Sequence, residues 1–151
     1  MTEPEVEVIR EADPSTTEAL AALLSQVSSR AAPLTDERLN DVLSTPTTHV
    51  IAVRVEGEIV GMALLLVCTT LTGQFGYVEE VAVDQSYRGR HLGSRLMAGL
   101  LEQASTLGLD FVELTSRPSR EVANGMYRSL GFVHRETNVY RHSLETLPGP
   151  R

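Results

Sequence analysis

The chain has no tryptophan, and only three phenylalanines and four tyrosines among 151 residues. So few rings make a base-stacking platform for single-stranded nucleic acid a poor expectation. Positive charge is scarce as well. Thirteen basic residues face 20 acidic ones, for a formal net charge of -7. That balance works against a phosphate backbone as partner and mildly favours cationic small molecules or basic protein tails. There is a single cysteine, Cys68. One thiol cannot close an internal disulfide, and no Cys/His spacing of the zinc type occurs, so no metal is expected. A reducing compartment, the cytoplasm, is the simplest home. Long apolar runs are also missing. The run IVGMALLLVC (59–68) is far too short for a membrane span. The opening MTEPEVEVIR is acidic and lacks the apolar stretch of a signal peptide.

What is present reads as one soluble domain over residues 1–146, with a frayed tail, LPGPR, at 147–151. VEVIR alternates and predicts a first strand. Asp13 can cap a helix that starts at Pro14, with Leu20, Leu23, Leu24 and Val27 as its stripe. LTDERLNDVLS predicts a second helix that buries Leu39, Val42 and Leu43. A hairpin turns at Glu56-Gly57. GYVEEVAVD is a further strand, apolar enough to be covered on both faces. Leu92, Leu96, Leu100, Ala104 and Leu107 recur at helical spacing up to Gly108. LDFVELTS is a strand, and SREVANGMYRSLGF a short helix with Val122, Met126 and Leu130 inward. FVHRETNVYRHSL alternates and predicts one or two last strands. The order β-α-α-β-β-β-α-β-α-β implies an α+β, three-layer fold with helices on both faces of a mixed sheet.

The stretch YRGRHLGSRL (87–96) gathers three arginines and two glycines at one helix start. A first helical turn leaves amides unpaired and carries partial positive charge. Gly89 and Gly93 would bare that backbone, and Arg88 and Arg90 would add full charges suited to a pyrophosphate. The loop is neither a P-loop nor a dinucleotide-binding fingerprint. Arg95, one turn in, reads as a solvated charge. His91 is expected to keep ordinary helix-start dihedrals, with its amide alone serving the anion.

VEEVAVDQSYRGRHLGSRLM, followed after one helix and one strand by NGMYRSLGF, resembles the GNAT superfamily of acyl-CoA-dependent N-acyltransferases. Arg88, Leu92 and Gly93 match that family's loop, with His91 where its first glycine usually stands. Asn124, Tyr127, Leu130, Gly131 and Phe132 match its second box. The resemblance spans roughly residues 48–140. It implies a mostly antiparallel mixed sheet with splayed central strands. It also implies acetyl-CoA as co-substrate, its pyrophosphate on the amides of Arg88, Gly89, Arg90, His91, Leu92, Gly93 and Ser94. The pantetheine arm would pair with the strand edge at Val81, Ala82 and Val83, and meet Asn124 and Tyr127. Homodimers are common in the family, and the last alternating strands offer an edge for one.

Acetyl transfer to an amine needs a base, an oxyanion donor and a proton for the leaving thiolate. Glu79 and Glu80 are the candidate bases. Strict alternation puts Tyr77, Glu79, Val81 and Val83 on one face and Val78, Glu80, Ala82 and Asp84 on the other, so only one glutamate should face the cleft. By resemblance that one is Glu79, acting directly or through water, in apolar surroundings that would raise its pKa. Tyr127 would be the general acid. The segment TTLTGQFG (69–76) reads as a mobile wall of the acceptor site. The amine acceptor is left open. The alternative is a non-catalytic acyl-CoA sensing module, and from outside the family a nucleotide-phosphate binder.

Overall fold

In a computed structural model, residues 3–27 and 32–144 are described. Five strands form one sheet in the order β1-β2-β3-β4-β5. They are β1 (Glu5–Ile9), β2 (Thr48–Val55), β3 (Glu58–Thr70), β4 (Gly73–Val83) and β5 (Val112–Glu113). Neighbours run antiparallel except β4 and β5, which are parallel. The helices are α1 (Pro14–Leu24), α2 (Asp36–Leu43), α3 (Leu92–Thr106) and α4 (Glu121–Ser129).

Local chemistry explains the boundaries. The Asp13 carboxylate accepts the amide of Thr16 at 2.8 Å, and Pro14 supplies the fixed φ of a first helical residue. The Thr35 hydroxyl accepts the amide of Arg38 at 3.0 Å and caps α2 in the same way. Glu56 and Gly57 both take positive φ, as a two-residue hairpin between right-twisted strands requires.

Two cores lie on opposite faces of the sheet. Leu20, Leu23 and Leu39 of α1 and α2 pack with Ala52, Met62 and Ala82. Leu96, Met97 and Leu100 of α3, with Tyr127 of α4, pack on Ile51, Val53, Leu65 and Val78. The expected three layers are therefore present.

Three expectations are corrected. Residues 133–144 carry no strand, although their pattern alternates. Alternation only makes a strand when a neighbouring edge accepts its amides. The segment 69–76 is not a loose wall. The β3–β4 ladder continues down to Thr70 opposite Gly73, leaving a tight turn at the tip. Val122 is 91% exposed, because α4 buries Ala123, Met126, Tyr127 and Leu130 instead. The tail at 147–151 lies outside the described residues.

Candidate active site

Strands β4 and β5 pair at Gly76 opposite Val112 and Tyr77 opposite Glu113 and then part. Beyond that point β4 keeps β3 on one side and, among the described residues, has no strand on the other. The two strands have splayed apart, as the resemblance implied. A cleft of about 280 Å³ opens in the gap. Residues 78–81 of β4 form one wall, and Leu114 and Thr115, just past β5, form the other. Tyr127 of α4 and Arg120, the residue that caps α4, close it, and Val27 stands at its rim, just past α1.

A bulge shapes the β4 wall. Met62 pairs with Ala82 and Leu64 with Glu79, so Ala63 alone opposes both Glu80 and Val81. Glu80 absorbs the extra residue with φ 53°. Holding a non-glycine residue there costs on the order of 1 kcal/mol. The strict alternation expected for this strand is thereby broken. Val78 packs under α3 together with Val81 and Val83, while Ala82 joins the core beneath α1 and α2. The division of the glutamates fails for the same reason: Glu79 and Glu80 both line the cleft. Both are exposed, so Glu79 is open to solvent although Val27, Val78, Val81 and Leu114 line the same cleft.

Tyr127 is 6% exposed, and its ring meets Phe132 edge to face at 5.7 Å. Burial raises its pKa, and the nearby Arg120 guanidinium opposes part of that rise. The phenol is therefore neutral and able to donate at ordinary pH. Among the described residues its hydroxyl has no protein hydrogen-bond partner, although it borders the cleft. Asn124, one turn earlier, donates its side-chain amide to the Arg117 carbonyl at 2.9 Å and ties down the loop before α4. Its carbonyl oxygen stays available. Arg120, which the motifs did not single out, also sits in the cleft beside Tyr127. Its position seven residues, or two helical turns, before Tyr127 was the signal that could have placed it.

The loop before α3 presents bare backbone. Among the described residues, no protein oxygen takes the amide hydrogens of Gly89 through Ser94. The Arg88 amide is not part of this set, since it donates to the Gln85 carbonyl at 3.3 Å. Arg90 lies over the Tyr87 ring, 5.0 Å from its centre, so its charge is held at the loop by a cation–π contact. Arg95 turns away to the Glu3 carboxylate and the Pro4 carbonyl. Gly93 clears a different neighbour than expected: a β-carbon there would stand 3.1 Å from the Met126 sulfur of α4. His91 also departs from expectation. It takes left-handed dihedrals, φ 58° and ψ 24°, and makes no side-chain cap bond. The loop bends sharply into α3 at this residue, and only glycine would adopt that bend without strain. His91→Gly is accordingly expected to stabilise the fold by up to about 1 kcal/mol in denaturant titration. CoA binding, read by calorimetry, should hold or tighten. Weaker binding would show that the imidazole itself touches the ligand.

A strand splayed from its parallel neighbour, with an open helix start at one end of the gap, is the arrangement of an acyl-CoA-dependent acyltransferase. The family model described as "Acetyltransferase (GNAT) family" matches residues 14–132. The chain belongs to that family. It is 30% identical over 127 residues to glucosamine 6-phosphate N-acetyltransferase 1 of Oryza sativa subsp. japonica, covering 78% of this chain and 74% of that one. It is 35% identical over 94 residues to N-alpha-acetyltransferase RimI of Mycobacterium tuberculosis (strain ATCC 25618 / H37Rv). That match covers 62% of this chain but only 57% of the relative's length. An aminoglycoside acetyltransferase, meta-AAC0020, from an uncultured soil metagenomic sample shares the fold at TM-score 0.84. Its sequence is 19% identical, over 94% of this chain and 97% of that one.

Proposed function

We propose that this chain is an N-acetyltransferase that moves an acetyl group from acetyl-CoA to a primary amine by direct attack in a ternary complex. The observation that carries this reading is one continuous path. It runs from six open amides at the start of α3, along the unpaired edge of β4, to a neutral, unbonded Tyr127 hydroxyl. Acetyl-CoA supplies an activated thioester. Transfer forms a C–N bond, breaks a C–S bond and carries one proton from nitrogen to sulfur.

The chain's residues divide that work. The amides of Gly89 to Ser94, with Arg88 and Arg90, hold the pyrophosphate against the positive end of α3. The backbone of Val81, Ala82 and Val83 accepts the pantetheine arm as an added strand, and the Asn124 carbonyl oxygen takes a bond from it. Glu79 takes the amine proton, directly or through water, and Tyr127 donates to the departing sulfur. Two exposed carboxylates in the cleft, Glu79 and Glu80, draw a cationic acceptor to the same place. Both Glu79 and Tyr127 border one cleft, which favours turnover over the alternative of a non-catalytic acyl-CoA sensor. The lone thiol, half-buried Cys68, agrees with a reducing cytoplasm.

The test is a screen of amines for free-thiol release from acetyl-CoA. All thirteen basic residues of the chain are arginines, so it carries no lysine to acetylate itself and raise the background. Release with no amine in the library would overturn the transfer reading. Glu79→Gln is expected to reduce kcat/KM most at low pH, about tenfold, where the amine is hardest to deprotonate. A mutant-to-wild-type ratio that stays flat across pH would remove Glu79 as base.

A further inference from the structure

One charged side chain in the cleft has no part in the transfer chemistry. Arg120 is the one basic side chain among the described residues that line the cleft. It stands at the start of α4 and makes no side-chain cap bond there. Among the described residues its guanidinium has neither an ion pair nor a hydrogen bond, although two carboxylates line the same space of about 280 Å³. Its charge nevertheless acts inside the cleft. Burial raises the Tyr127 pKa, and Arg120 opposes part of that rise.

The coenzyme phosphates do not account for this charge. Their open amides lie at the start of α3, and that end of α3 meets α4 at Met126, whose sulfur lies 3.1 Å from where a β-carbon on Gly93 would stand. Arg120 precedes Met126 by six residues, which is about 9 Å along the axis of α4. The guanidinium lines the space that Glu79 and Tyr127 border, away from the anion loop. A purely cationic acceptor would gain from the carboxylates there and lose to Arg120. An uncharged side chain beside Tyr127 would serve it better. An amine that also carries an oxyanion gains from both signs. Its nitrogen lies by Glu79, and its anion meets the guanidinium fork, whose paired donors suit a carboxylate or a phosphate.

We infer that Arg120 selects the acceptor, a small primary amine that bears a carboxylate or phosphate, by binding that oxyanion while the nitrogen lies at Glu79. The inference rests on the acetyl-transfer reading for where the nitrogen sits, and on Arg120 for the anion. A cleft of about 280 Å³, shared with the thioester, leaves room for a compact molecule. Arg120 is thus a specificity-determining residue: it touches the part of the acceptor that does not react.

The test is thiol release from acetyl-CoA with matched acceptors. Glycine, β-alanine and γ-aminobutyrate are set against their primary amides, and ethanolamine phosphate against ethanolamine. At least one anionic member should outrun its neutral partner, and the carboxylate and phosphate arms tell which oxyanion the fork takes. Arg120→Gln should lower kcat/KM for that acceptor about tenfold more than for its neutral partner. The mutant-to-wild-type ratio cancels the intrinsic reactivity of each amine. Arg120→Lys keeps the charge without the fork and should keep part of the preference. Arg120→Glu should reverse it and favour putrescine. An equal loss on both members of every pair would show that Arg120 acts only through Tyr127, and would overturn the inference. A wild-type preference for the neutral members throughout would do the same. If no amine releases thiol, the transfer reading falls, and calorimetry on the CoA-bound chain still decides. Ethanolamine phosphate or γ-aminobutyrate should then bind the wild type and not Arg120→Gln; equal binding, or none, overturns the inference.

Discussion

Tyr127→Phe should lower kcat about a hundredfold while leaving the KM for acetyl-CoA nearly unchanged. The phenyl ring keeps its edge contact with Phe132, so the helix and the core around it stay in place. The hydroxyl has no protein partner among the described residues, so its removal orphans nothing. What disappears is a proton donor at the cleft. The raised pKa of Tyr127 sets the pH signature. Its neutral form persists past the usual value near 10, so the wild-type kcat profile should show no falling limb from this group at lower pH. Stability follows the same sign. The unfolded tyrosine ionises first, so stability is full below pH of about 10 and falls as pH rises toward the folded value. Tyr127→Phe abolishes that alkaline loss. An unchanged kcat would take Tyr127 out of the mechanism.

Gly93→Val should destabilise the fold by about 1–3 kcal/mol and weaken CoA binding together. The new β-carbon would stand 3.1 Å from the Met126 sulfur, and the branched methyls would crowd it further. Either Met126 leaves its place in the core, or the first turn of α3 lifts away from α4. The second movement displaces the open amides. Met126→Ala in the same chain should recover on the order of 1 kcal/mol of the loss, which a double-mutant cycle in denaturant would measure. If affinity falls while stability does not, Gly93 faces the ligand instead of α4.

Elements governed by neighbours along the chain are legible in the amino-acid sequence. Asp13 and Pro14 announce α1, Glu56-Gly57 announces a hairpin, and the leucine spacing gives α3, because each signal lies within a few residues of what it determines. Around the cleft, the candidate base, acid and anion loop are all nameable from their motifs. Three features are not legible, for three physical reasons. The bulge at Glu80 is a mismatch in count between β3 and β4, and β4 alone does not display it. The left-handed His91 satisfies a turn that glycine would normally take, so its identity conceals its conformation. Residues 133–144 read as a strand because they are patterned as one, whereas strand formation depends on an edge elsewhere. Arg120 falls between these cases: its two-turn spacing from Tyr127 is visible, but the spacing gains meaning only once α4 lies beside the cleft.

The bulge gives β4 two reading frames. Before Glu80, the residues owed to the α3 face carry even numbers, as Val78 does; after it they carry odd numbers, as Val81 and Val83 do. A saturation scan of this strand should therefore show its period-two tolerance shifting phase at one position. Deleting Glu80 would put the halves back in step with Val78, Val81 and Val83 still on the α3 face, so the core should keep its layers while the cleft loses one carboxylate and the bend in its wall.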